Sequence, residues 1–100
     1  MVVFSFLEKG ENFGTRQLGA QVRENLLQVI SRSDKVCLDF SGVNVVSNSF
    51  ADECIVKLLL VMSLEELKSK TTFMGFNPFA QKNISVALSR RYRSLNQQAQ

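Results

Sequence analysis

The chain of 100 residues has no histidine, no tryptophan, a single proline and no acidic residue beyond Glu66. Without His, Ser–His and Cys–His activation of a nucleophile is excluded, and no side chain titrates near neutrality unless its pKa is strongly shifted. The two cysteines, Cys37 and Cys54, likewise lack the partners a zinc site requires. Both sit inside apolar runs and read as buried thiols of a reducing, cytoplasmic protein. No apolar stretch approaches the roughly eighteen residues that a bilayer span needs. The opening "MVVFSFLEKG" has neither a basic leading segment nor a small-residue cleavage site, so it reads as a first strand rather than a signal peptide. The expectation is a non-enzymatic protein with no metal, no cofactor and no membrane association.

What is present suffices for one core: 45% hydrophobic residues, eight of them Phe. Charge is uneven, because residues 1–66 hold six basic and nine acidic side chains (net −3) while residues 67–100 hold six basic and none acidic (net +6). Such asymmetry can mark a nucleic-acid face. Its carriers would be Lys68, Lys70, Lys82, Arg90, Arg91 and Arg93, but "SRRYRS" interleaves one aromatic and no nucleic-acid motif accompanies it. Nucleic-acid association through this basic C-terminal third is therefore the alternative reading.

Periodicity divides the chain into an alternating series. "VVFSFL" (2–7) reads as a β-branched and aromatic strand closed by the turn-rich "EKGENFG". Over 15–33, Leu18, Val22, Leu26, Val29 and Ile30 mark one face of a helix with Thr15 as N-cap, leaving Arg16, Arg23 and Glu24 off that face. "KVCLDFSG" (35–42) is apolar almost throughout, as in a strand covered on both sides. From Ala51, the positions Ala51, Cys54, Ile55, Leu58, Leu59 and Met62 keep the helical period, and Val56, Leu60 and Val61 widen the stripe toward the most buried helix. "TTFMGF" (71–76) reads as a third strand. Asn77 and Pro78 then start a helix whose inner face is Ala80, Ile84, Ala87 and Leu88. The order β-α-β-α-β-α predicts one small α/β domain over 1–93, a mainly parallel sheet with packed helices and a frayed polar tail at 94–100.

Three features invite a chemical reading. Gly14 and Gly19 in "GTRQLGA" have phosphate-loop spacing but lack the Lys-Ser/Thr that would reach a terminal phosphate and magnesium. Asp39 ends the central strand, where a carboxylate must reach the mouth or be satisfied; Asp39 or Ser41 is expected to accept backbone N–H bonds in the loop beyond. That loop leaves the carboxyl end of a strand, where open α/β sheets engage ligands, and enters a helix beginning near Ser47, Asn48 and Ser49. Ser49 reads as the helix cap, with Asp52 three residues on in a variant capping box, or alternatively as a phosphoacceptor. Asp52 and Glu53 suit the helix dipole yet, taken locally, would repel a phosphate.

"VCLDFSGVNVVSNSFADECIVKLL" resembles the STAS domains of anti-sigma-factor antagonists, with their strand, Asp-x-Ser-Gly, loop, Ser and helix in order. "LDFSGV", "SNSFADE" and "NPFAQKNI" are closer still to a STAS-like family of unknown function, and the likeness runs from about Val2 to Tyr92. In the antagonists a segment reading Asp-Ser-Ser-Gly is phosphorylated on its second Ser by a partner kinase that is also an anti-sigma factor. The matching positions are Ser47, Asn48, Ser49 and Phe50, so the resemblance places the phosphoacceptor at Ser49, without the flanking Asp and Gly. It implies a protein partner of the histidine-kinase-type ATPase kind and no catalysis of its own. The expected function is a bacterial regulatory interaction module that docks such a partner through 41–53, using Asp39, Ser41, Ser47, Asn48, Ser49, Phe50, Asp52 and Glu53. A homodimer stays open beside it.

Overall fold

The structure is a computed structural model that describes residues 1–10 and 12–98, with the side chains of Tyr92 and residues 94–98 outside the description. The elements are β1 (Val2–Ser5), a 3₁₀ turn (Leu7–Lys9), β2 (Asn12–Phe13), α1 (Arg16–Ser31), β3 (Val36–Asp39), β4 (Val45–Val46) and α2 (Asn48–Cys54). A second 3₁₀ turn (Val56–Leu60), α3 (Leu64–Lys70), β5 (Thr71–Met74) and α4 (Pro78–Gln98) complete the order. The α/β reading holds, with more elements than the alternation suggested. The expected frayed tail at 94–100 falls outside the described side chains.

The main sheet has spatial order β1-β3-β5, all parallel, with Phe4 opposite Leu38 and Leu38 opposite Phe73. Alternation puts Val2, Phe4, Val36, Leu38, Thr71 and Phe73 on one face. Helices cover that face: Val22, Leu26 and Ile30 of α1 join Val36 and Leu38 in the core. The opposite face is open, since Val3 is 57% and Met74 is 47% exposed. The expectation that 35–42 is covered on both sides is thus corrected. Its apolar run reflects one packed face plus Cys37, which is buried outside the core cluster.

Two other expectations need correction. The helix predicted from Ala51 to Met62 stops at Cys54, because the chain tightens into i→i+3 bonds such as Leu58 N–H to the Ile55 carbonyl. β-branched Ile55 and Val56 crowd an α-helical turn, and this tighter path buries Ile55, Val56 and Leu58 together. Leu60 and Val61 are consequently 58% and 66% exposed, not part of a buried stripe. A separate helix follows: Ser63 Oγ accepts the Glu66 N–H at 3.0 Å, with Glu65 and Glu66 in the first turn of α3 and Lys68 and Lys70 in the last. That charge order matches the helix dipole.

The core is aromatic. Phe6 stacks on Phe40 at 4.0 Å between centroids, Phe40 on Phe76 at 4.8 Å, and Phe13 packs on Phe50 at 4.7 Å. At the start of α4, Asn77 Oδ1 accepts the Ala80 N–H at 2.8 Å, as its position before Pro78 predicted.

Candidate functional site

The loop from β3 to α2 is held from three sides. Asp39 Oδ1 accepts the Ser41 N–H at 2.9 Å, as expected, and hydrogen bonding from Ser41 holds the carboxyl below its ordinary pKa. Ser41 lies against Gly75, whose φ is +76° and where a Cβ would come within 2.4 Å of the Ser41 nitrogen; only glycine fits there. Farther along, Asn77 Nδ2 donates to the Asn44 carbonyl at 3.0 Å and Asn83 Nδ2 to the Val46 carbonyl at 2.9 Å. β4 pairs in parallel with β2, and the Ser47 N–H donates to the Phe13 carbonyl at 2.9 Å.

That last bond decides the cap. Ser47 is extended (φ −75°, ψ 162°), and its Oγ accepts the Phe50 N–H at 3.0 Å. Ser47, not Ser49, caps the helix, and the Ser49–Asp52 capping box expected from the sequence does not form. Among the described residues the Ser49 hydroxyl makes no hydrogen bond. Ser47→Ala should therefore lose about 1 kcal/mol in urea unfolding, whereas Ser49→Ala should stay within about 0.5 kcal/mol of the native chain. The reverse order would refute this assignment.

The eight candidate residues separate into groups. Ser41 and Asn48 are exposed; Asp39, Ser47, Ser49 and Asp52 are half-buried; Phe50 and Glu53, expected on a partner-facing rim, are interior. Asp39 and Ser41 belong to the strand mouth. Asn48, Ser49 and Asp52 instead line a cleft of about 410 Å³ whose other walls are Arg16 of α1 and Ala87, Arg90 and Arg91 of α4.

Both carboxylates of α2 are taken by cations from elsewhere. Arg16 Nη1 and Arg91 Nη2 each reach Asp52 Oδ2 at 2.8 Å. Glu53, 8% exposed, accepts Arg23 Nη1 at 2.7 Å and Lys57 Nζ at 3.0 Å, and Arg23 also donates to the Glu53 backbone carbonyl. Arg16 stands 3.6 Å from Glu53 as well. Burial pushes Asp52 upward, but hydrogen bonds from Arg16 and Arg91 outweigh it and leave the carboxyl below its ordinary pKa. Hydrogen bonds from Arg23 and Lys57 lower Glu53 likewise. Burial pushes the Cys54 thiol up to about 12, so it stays protonated and unreactive.

The sign of the resulting pH dependence follows. A carboxyl lowered by folding contributes stability that is complete above its unfolded pKa, near about 4, and is lost as pH falls toward the folded value. Unfolding free energy should be flat from about pH 7 to 5 and decline below about pH 4. Urea titrations of an Asp52→Asn/Glu53→Gln chain should show a shallower decline. An unchanged slope would mean that these pairs carry none of it.

Arg16 was absent from the sequence-derived site, and Arg90 and Arg91 stood out only as part of the basic C-terminal third; nothing local ties them to Asp52, from which Arg16 and Arg91 lie 36 and 39 residues away. Of the basic C-terminal residues, Arg91 turns inward to Asp52 while Lys68 and Lys70 sit on α3, a different helix. Among the described residues no His, Cys, Asp or Glu cluster could hold a metal, and no helix is long and apolar enough to cross a membrane.

The model of a family described as "STAS-like domain of unknown function (DUF4325)" matches residues 19–78. The chain belongs to this family. No curated protein and no solved structure matches it. In this STAS-like domain the matched span runs from within α1 to the first residue of α4, so it includes Ser47 to Glu53 and excludes all three arginines of the cleft.

Proposed function

We propose that this STAS-like domain is a non-enzymatic regulatory interaction module of the bacterial cytoplasm. It docks a histidine-kinase-type ATPase through the 41–53 segment, and Ser49 accepts a phosphoryl group. One observation carries the reading: Ser47 does the structural work of capping, which leaves the half-buried Ser49 hydroxyl without a hydrogen bond in a cleft. Ser41, Asn44, Val45 and Asn48 are exposed along the same 41–53 segment. In the transfer, the γ-phosphoryl group of ATP passes to Ser49 Oγ, the bond to the ADP oxygen breaks, and the hydroxyl proton leaves to a base of the kinase.

Incubating the chain with the companion ATPase-type protein and ATP should add one phosphoryl group to the intact mass. Ser49→Ala should abolish that gain and Ser47→Ala should keep it. A phosphoryl group on another residue, or partner capture unaffected by both Ser49→Ala and Ser49→Glu, would end the switch reading.

A further inference from the structure

We infer that the cleft between α1, α2 and α4 is a binding site for a phosphate monoester, anchored by Arg90 and flanked by the guanidinium groups of Arg16 and Arg91. Three guanidinium groups and one carboxylate, Asp52, line the cleft, so its walls carry a net positive charge. The next carboxylate, Glu53, is interior and held by Arg23 and Lys57, although Arg16 approaches it at 3.6 Å. Arg90 is exposed and makes no ion pair among the described residues. It also lines an adjoining groove with Ser85, Ser89 and Arg93, which extends the basic wall along α4.

Arg16 and Arg91 already converge on one anion, because Asp52 receives both at 2.8 Å. A carboxylate held in this way keeps two long side chains ordered beside the cleft, lowering the ordering cost when a second anion arrives. Guanidinium forks suit phosphate oxygens, and the amide of Asn48 and the hydroxyl of Ser49 are additional donors on the same wall. Helical spacing puts Ser49 about one turn, or roughly 5–6 Å between Cβ atoms, from Asp52. A phosphate on Ser49 would therefore reach the groups that now hold Asp52. The phosphate thus has two sources, a free phosphate-bearing ligand or phosphorylated Ser49 itself, and only the second rests on the function proposed above.

Inorganic phosphate and phenyl phosphate, titrated into the unmodified chain at constant ionic strength, should give saturable NMR shifts at Asn48, Ser49 and the arginine Nε–H groups. Arg90→Gln should weaken binding about tenfold, the loss of one charge-assisted contact. Shifts that fail to saturate or that chloride reproduces, or an affinity indifferent to Arg90→Gln, would overturn the site. A chain translated with phosphoserine at 49 separates the sources without any kinase. If Ser49 phosphate occupies the cleft, that chain shows the bound-state arginine shifts and no longer takes free phosphate. If it takes free phosphate unchanged, the site serves an external ligand. A kinase that ignores Ser49 leaves the free-phosphate result standing, and a cleft that binds no phosphate leaves the mass measurement standing.

Discussion

Phe50→Ala is expected to remove about 3–5 kcal/mol of stability, the range for truncating a fully buried Phe. Domains of this size are stable by only about 5–15 kcal/mol in total, so the loss is a large share of the whole and should move the urea midpoint far down. The ring is 0% exposed and lies 4.7 Å from Phe13 and 6.4 Å from Phe6 between centroids, edge-on to the latter. Phe50 also donates the N–H that Ser47 caps, so its displacement loosens the start of α2. Urea unfolding followed by circular dichroism and by tyrosine fluorescence would measure the loss. Phe79→Ala, at a ring 80% exposed, is the control and should change stability by less than about 0.5 kcal/mol. If Phe50→Ala weakened partner capture while unfolding like the native chain, the residue would belong to a docking surface after all.

Elements written in local chemistry were legible in the sequence. Asn77-Pro78 begins α4, Thr15 caps α1, and Val22, Leu26 and Ile30 face the core as their spacing required. The choice among Ser47, Asn48 and Ser49 was not legible. It is set by a parallel pair of two-residue strands, β2 and β4, and by the Ser47 N–H bond to Phe13, 34 positions earlier. Two residues carry no periodicity. The break after Cys54 was hidden because a 3₁₀ turn and an α-helix bury overlapping sets of apolar residues over one turn. The start of α3 was written plainly, in Ser63 followed three residues later by Glu66 at the head of a helix.

The cleft shows the same division between local and long-range information. Read along the chain, Asp52 and Glu53 make the surroundings of Ser49 acidic. In space they are the most heavily paired carboxylates among the described residues, contacted by Arg16 and Arg23 of α1, Lys57, and Arg91 of α4. Net charge beside Ser49 therefore changes sign between sequence and fold. The surplus of base after Glu66, read first as a nucleic-acid face, supplies part of that compensation through Arg91.

Gly19→Leu should be strongly damaging, because it separates the two helices that build this charge network. A Cβ on Gly19 would lie 2.9 Å from the Glu53 Cβ, 3.2 Å from the Phe50 carbonyl oxygen and 3.4 Å from the Cys54 nitrogen. Two of these atoms are α2 backbone and cannot rotate aside. Gly19→Ala sets two effects against each other: a helix-propensity gain of about 1 kcal/mol and an overpacking cost of about 1–3 kcal/mol. Backbone contacts on the second side should make the net effect destabilising. Leu adds three carbons with nowhere to go and should cost about 3 kcal/mol or more, pulling Arg16 from Asp52 and Arg23 from Glu53 as α1 lifts. Gly14→Ala is the matched control, since a Cβ there meets nothing within 4 Å and the backbone has no positive φ; it should be neutral or slightly stabilising. Thermal and urea unfolding of the three variants would rank them. Were Gly19→Leu as stable as Gly14→Ala, the spacing of these glycines would need a ligand-based explanation instead of the close approach of α1 to α2.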